Sequence, residues 1–250
     1  MNKRITSHIR KINGVLHDAI FIKQMLWVGV FGFVVVVSIL ANIAFLRATY
    51  PNPPHPPDRI LDIIPQNGDF VQYGEIFSQI QAGVMGIVVF SSTSRLRKIP
   101  RLFFLLSVMF MLRGFAITLT PLAQITPPSE YLAESNVIAQ YFYHGMFFSG
   151  HSSSALIQAF FFWNDRFRGI RLTWFVLPFA IAQVASMIIG HQHYSIDIFA
   201  AFFVVYFVLT FDFMRIVPVS IRDINWMPWN TGWATAPSSR VNPDRVPNNS

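Results

Sequence analysis

Six stretches of this chain are apolar over about 20 residues, the length a helix needs to cross the hydrocarbon core of a bilayer. They run over residues 25–46, 73–91, 102–120, 141–163, 172–190 and 195–214. In lipid every backbone N–H and C=O must find its partner inside the segment, so such stretches fold as helices. The expected fold is therefore all-α: a polytopic membrane protein with six transmembrane helices. Only 12% of the residues are charged, against about 25% in soluble domains. The first apolar run is too long, and begins too far from the amino terminus, for a cleavable signal peptide. Three regions follow: an amino-terminal segment at 1–24, a six-helix transmembrane domain at 25–214, and a partly disordered tail at 215–250, rich in Pro, Asn and Ser.

The basic residues set the orientation. Lys3, Arg4, Arg10, Lys11 and Lys23 precede the first span. Arg95, Arg97, Lys98 and Arg101 follow the second, Arg166, Arg168 and Arg171 follow the fourth, and Arg215, Arg222, Arg240 and Arg245 lie in the tail. With six spans these regions share one face, leaving Arg47 and Arg59 opposite and Arg113 inside the third span. Asp58, Asp62, Asp69, Glu75, Glu130, Glu134 and Asp197 gather on or near the other face. Both termini are thus expected in the cytoplasm. The net charge of +7 is read as an orientation signal, not as a nucleic-acid footprint. With no cysteine, disulfides and thiolate metal sites are excluded.

Two motifs are expected together on the extracytoplasmic face, periplasmic or lumenal. Ser149-Gly150-His151 opens the fourth span, and His193-Tyr194-Ser195-Ile196-Asp197 begins 42 residues after His151, at the junction of the fifth and sixth. The His193/Asp197 spacing of four suits one face of a helix. A carboxylate accepting from one ring nitrogen fixes the tautomer and leaves the other nitrogen to attack phosphorus. Ser149 and Gly150 place a helix N-terminus, with its free N–H groups, where a phosphate can approach. His151 is then positioned to protonate the leaving oxygen. An arginine inside a span is costly and seldom idle, so Arg113 is a candidate to meet the phosphate or to hold Asp197. His144 and His191 could join the two motif histidines in a zinc site. However, residues two apart on a helix point differently, and hydrogen bonding at a polar rim is the expected role.

At these residues the chain resembles the sphingomyelin synthase branch of the type 2 phosphatidic acid phosphatase superfamily. The superfamily's last motif reads Ser-Arg, five residues, His, three residues, Asp. Here Ser186 and Met187 stand at the right distance before His193 and Asp197, with Met187 replacing the arginine. Ser149-Gly150-His151 corresponds to the middle motif. Pro57-Asp58-Arg59-Ile60-Leu61-Asp62, and Arg113 with Thr120 and Pro121, are similar to the synthases. The resemblance covers roughly residues 56–212. It implies His193 as nucleophile, Asp197 as its partner, and His151 as proton donor and then base. Met146 stands where synthases have an aspartate, and the Lys-x6-Arg-Pro phosphate motif is not found.

Few basic residues are expected on the active face, which favours a singly charged phosphodiester over a phosphate monoester. Acids (Asp58, Asp62, Glu75, Glu130, Glu134) and aromatics (Tyr131, Tyr141, Tyr143, Tyr194) suit an ammonium headgroup. Ser149, Gly150, Arg113, Tyr194 and Asp58 are accordingly the candidate substrate-binding residues. The expected reaction moves phosphocholine or phosphoethanolamine from a phospholipid donor to a lipid-alcohol acceptor such as ceramide, without cofactor or metal. A lipid phosphate phosphatase or phospholipase C-like hydrolase could use the same residues. A transporter, a scramblase or an inactive lipid-binding scaffold is the reading from another class.

Overall fold

The computed structural model describes residues 3–49, 54, 56–120, 122, 147–163, 165–167 and 169–210. Helix α1 (Lys3–Leu16) is followed by α2 (Ala19–Thr49), α3 (Arg59–Ile63), α4 (Asp69–Phe90), α5 (Thr93–Leu96) and α6 (Ile99–Leu119). Then come α7 (Gly150–Phe161), α8 (Thr173–Ile189) and α9 (Ser195–Thr210). Between α7 and α8 a two-residue hairpin pairs β1 (Arg166–Phe167) with β2 (Ile170–Arg171) in antiparallel register. Gly169 takes φ +86° there, in the left-handed region that favours glycine. This ribbon is the one departure from helix among the described elements.

Three stretches are long and apolar enough to cross a membrane: Ala19–Leu46, Asp69–Phe90 and Thr93–Leu119. Phe33, Ile87 and Leu119 on these helices are 70–81% exposed, a surface that requires lipid rather than water. The chain is thus all-α and of multi-pass membrane character. The last three expected spans are shorter within the described residues: 12, 17 and 16 residues. The fourth begins at Gly150 rather than 141 because Ser149 is the N-cap, its hydroxyl accepting from Ser152 N–H. Residues 141–146 and 211–214, one end each of the fourth and sixth expected spans, lie outside the described residues.

Packing follows the logic of helices in lipid, where small residues and interhelical hydrogen bonds do the joining. In the close pair α4–α8, Gly74 lets Met187 and Ser186 approach so that a Cβ would sit 3.3 Å from the Met187 methyl. In the pair α2–α6, Val35, Ile39 and Ile43 form an apolar seam. There Asn42 of α2 donates to the Gly114 carbonyl of α6 at 3.0 Å and to the Thr118 hydroxyl. Gln81 of α4 donates to the Ala155 carbonyl of α7 at 2.8 Å, fully buried. Helix α7, with Leu156 and Ile157 inaccessible, packs among α4, α6, α8 and α9.

Helices α6, α7 and α9 give the molecule two chemically different ends. One holds the start of α7, the start of α9 and the last turns of α6. The other holds α5, the start of α6, the ribbon, and the ends of α7 and α9.

Candidate active site

The first end collects the motif residues. His151 is the second residue of α7, His193 sits in the turn between α8 and α9, and their ring centroids lie 6.4 Å apart. His193 is 3% exposed, whereas His151 is exposed at the mouth of the site. The backbone that presents them is unusual. Phe148, just before the Ser-Gly-His motif, and His191, two residues before His193, are the non-glycine residues at positive φ among the described residues, +36° and +50°. Such backbone is sparsely populated and persists where its surroundings fix it. Phe148 is buried, and the His191 Nε2 lies 2.8 Å from the Ile64 carbonyl. The Ser149 N–H donates to the Asp197 carbonyl at 3.1 Å, which ties the two motifs together directly.

The His193/Asp197 pair forms differently from a helix-face pair. Helix α9 begins only at Ser195, so His193 lies before it. Asp197, fully buried in the first turn, reaches back so that Oδ2 accepts from the Tyr194 N–H at 3.2 Å. This is the reciprocal half of a helix cap. It leaves Oδ2 3.5 Å from His193 Nδ1, a contact longer than a hydrogen bond. The geometry addresses Asp197 to Nδ1, on the side of the ring away from Nε2. Burial first, and the Arg113 charge second, lower the pKa of His193, so the ring is held neutral. Neutral imidazole is the nucleophilic form.

Arg113 arrives from α6 and is buried. Its charge acts on His193, His151 and Asp197, yet it makes no ion pair among the described residues. The glycine of the Ser-Gly-His motif now has a reason. A Cβ at Gly150 would run into the Arg113 guanidinium. The bare backbone of Gly150 is what lets the cation lie across the start of α7. Met187, where the superfamily motif carries arginine, is buried instead against Gly74, Val184 and Ile198. A guanidinium reaches this site all the same, from a different helix.

Asp58 has its oxygens occupied. Oδ1 accepts from the Ile60 and Leu61 N–H groups, capping α3, and from the Ser195 hydroxyl at 2.9 Å; Oδ2 accepts from the Ser195 N–H at 2.6 Å. The carboxylate thus clamps the start of α3 onto the residue that opens α9. Burial pushes its pKa up, but the Ser195 and α3 hydrogen bonds outweigh burial and hold it below the ordinary 3.8. A depressed carboxylate contributes stability above its unfolded pKa and loses it as pH falls through the folded one. Asp58→Asn should therefore lower the melting temperature at pH 7 and narrow the gap to wild type below about pH 4. A gap that stays constant down to pH 3 would show that the charge plays no part.

Tyr194 is buried, with no hydrogen bond to its hydroxyl among the described residues. The Ser152 and Ser153 hydroxyls in the first turn of α7 are likewise buried and unpartnered there. The triple serine 152–154 in an otherwise apolar span was their signal in the sequence. His144, Met146, Glu130, Glu134, Tyr131, Tyr141 and Tyr143 lie outside the described residues. Among the described residues no three acidic or histidine side chains cluster as metal ligands.

Residues 145–214, which contain both histidines and Asp197, match the family profile described as PAP2 superfamily C-terminal. Over 207 residues the chain is 26% identical to sphingomyelin synthase-related 1 of Caenorhabditis elegans, an alignment covering 71% of this chain and 42% of that relative. The chain therefore spans less than half the length of the relative it matches. The superfamily resemblance read from the motifs stands: this chain carries the PAP2 superfamily C-terminal pattern and is distantly similar to a sphingomyelin synthase-related protein.

Proposed function

We propose that this chain is a membrane phosphotransferase that moves a phospho-headgroup from a glycerophospholipid to ceramide or a similar lipid alcohol. The observation that carries the proposal is the 6.4 Å approach of the His151 and His193 rings, flanked by Asp197 and Arg113. In the first half-reaction the His193 Nε2 attacks phosphorus and the bond from phosphorus to the diacylglycerol oxygen breaks. His151 gives that oxygen its proton. In the second, His151 takes the proton of the acceptor hydroxyl, whose oxygen attacks phosphorus as the N–P bond breaks. Asp197 balances the positive charge that builds on His193, and Arg113 faces the phosphoryl oxygens. One buried guanidinium suits the single charge of a phosphodiester, and phosphocholine or phosphoethanolamine lipids supply one. We place the reaction at the extracytoplasmic face, the face opposite the chain's basic end.

The test is the full chain in proteoliposomes with labelled ceramide and phosphatidylcholine or phosphatidylethanolamine. Labelled phosphoceramide with stoichiometric diacylglycerol is the expected result. Release of free phosphate from phosphatidic acid without phosphoceramide would reassign the chain as a phosphatase. Release of water-soluble phosphocholine or phosphoethanolamine would make it a phospholipase C-like hydrolase.

A further inference from the structure

A cavity of about 1250 Å³ opens at the end of the molecule away from the histidines, between α2, α6, α7 and α9. Its lining is mostly apolar, with Phe160, Phe202 and Leu209 among it, and also carries three cations, Arg97, Lys98 and Arg101, against one acid, Asp165. Arg101 and Arg113 are twelve residues apart on α6, so Arg101 lies about 18 Å along the helix axis from the site cation. The two sites do not share residues.

The charges around this cavity are unequal. Arg97 pairs with Asp18 at 2.8 Å and Lys98 with Asp165 at 2.7 Å, both cations remaining roughly half exposed. Arg101 is exposed and makes no ion pair among the described residues. Arg95 and the ribbon residues Arg166 and Arg171 add further positive charge at the same end, Arg171 lying 4.6 Å from the Trp163 ring that lines the cavity. A slot that is mostly apolar, carries a surplus of cations with its one acid paired to Lys98, and lies at the level of helix ends has the polarity of a phospholipid standing upright. Its cations select negative charge, because guanidinium groups meet phosphate oxygens through paired hydrogen bonds.

We infer that this cavity is a binding site for one acidic phospholipid, its acyl chains against Phe160, Phe202 and Leu209 and its phosphate on Arg101 with Arg97 and Lys98. The lipid would wedge between α2, α6, α7 and α9, three of which run on to the catalytic end.

The full chain, purified in mild detergent with an equimolar mixture of phosphatidylglycerol and phosphatidylcholine, tests this by native mass spectrometry. One retained phosphatidylglycerol per chain, in clear preference to phosphatidylcholine, is expected. Arg101→Glu should reduce that retention by at least about fivefold, the effect of one basic residue near an anionic lipid. Arg101→Lys should keep most of it. Arg10→Glu, on α1 outside the cavity, should leave it unchanged, since diffuse surface charge is not what holds the lipid. No preference in the wild type, undiminished retention by Arg101→Glu, or equal loss in Arg10→Glu would each overturn the inference. Arg101 is exposed, so its replacement is compatible with folding, and a melting curve checks this; should Arg101→Glu not fold, Arg101→Gln is read in its place.

Discussion

Replacing His193 with alanine is expected to lower headgroup transfer by at least about a thousandfold, because the proposed phosphohistidine step loses its nucleophile. The ring is 3% exposed, and burial together with Arg113 holds it neutral, so it is ready to attack without first losing a proton. The loss should be accompanied by a chemical signature. Wild-type protein given a headgroup-labelled donor without acceptor should carry label on the chain in an acid-labile, base-stable bond, as expected of a phosphohistidine. The His193→Ala protein should carry none. Asp197→Asn should retain the ring but lose the countercharge 3.5 Å away, for a loss of about a hundredfold or more. A His193→Ala protein that still moved headgroups at more than a hundredth of the wild-type rate would end the phosphohistidine mechanism. Lipid transport or binding that survived this change while transfer was never seen would favour a scramblase or scaffold.

Arg113→Gln is expected to cost at least about a hundredfold in kcat/KM while changing the melting temperature little. The separation follows from the structure. A guanidinium locked into a buried ion pair would leave an orphaned carboxylate when removed, and stability would fall with activity. Arg113 makes no such pair among the described residues, so its charge is available to a phosphoryl group. Arg113→Lys should recover part of the rate but not all, since an ammonium cannot form the two-pronged contact. Gly150→Ala should imitate Arg113→Gln from the other helix, because the added Cβ takes the place of the guanidinium. Loss of folding in Arg113→Gln at full activity per folded molecule would make the residue a packing element.

The particular residues show how far the sequence could be read. Ser149, His151, His193 and Asp197 were legible because each is a polar group at the boundary of an apolar run, where its cost in lipid demands a reason. The membrane-length helices α2, α4 and α6 were legible for the complementary reason: solvent dictates their length. By contrast, the spacing of His193 and Asp197 suggests a helix-face pair, and the fold joins them through a helix cap instead. The start of α7 at Gly150 came from the Ser149 cap, a local hydrogen bond that hydropathy does not register.

Other features depended on contacts between residues far apart in the chain. Asp58 lies 137 residues before Ser195, and nothing in either segment announces that one clamps the other. Met187, at the motif's arginine position, and Arg113, two helices away, exchange significance only when α6 lies against the start of α7. Transfer from water to lipid is a property of each segment alone, so the sequence by itself determined the helices and the residues whose burial needs chemistry. Which cation meets which histidine, and that a cation-bearing cavity opens at the other end, depend on how helices pack sideways. Only the tertiary structure decided those.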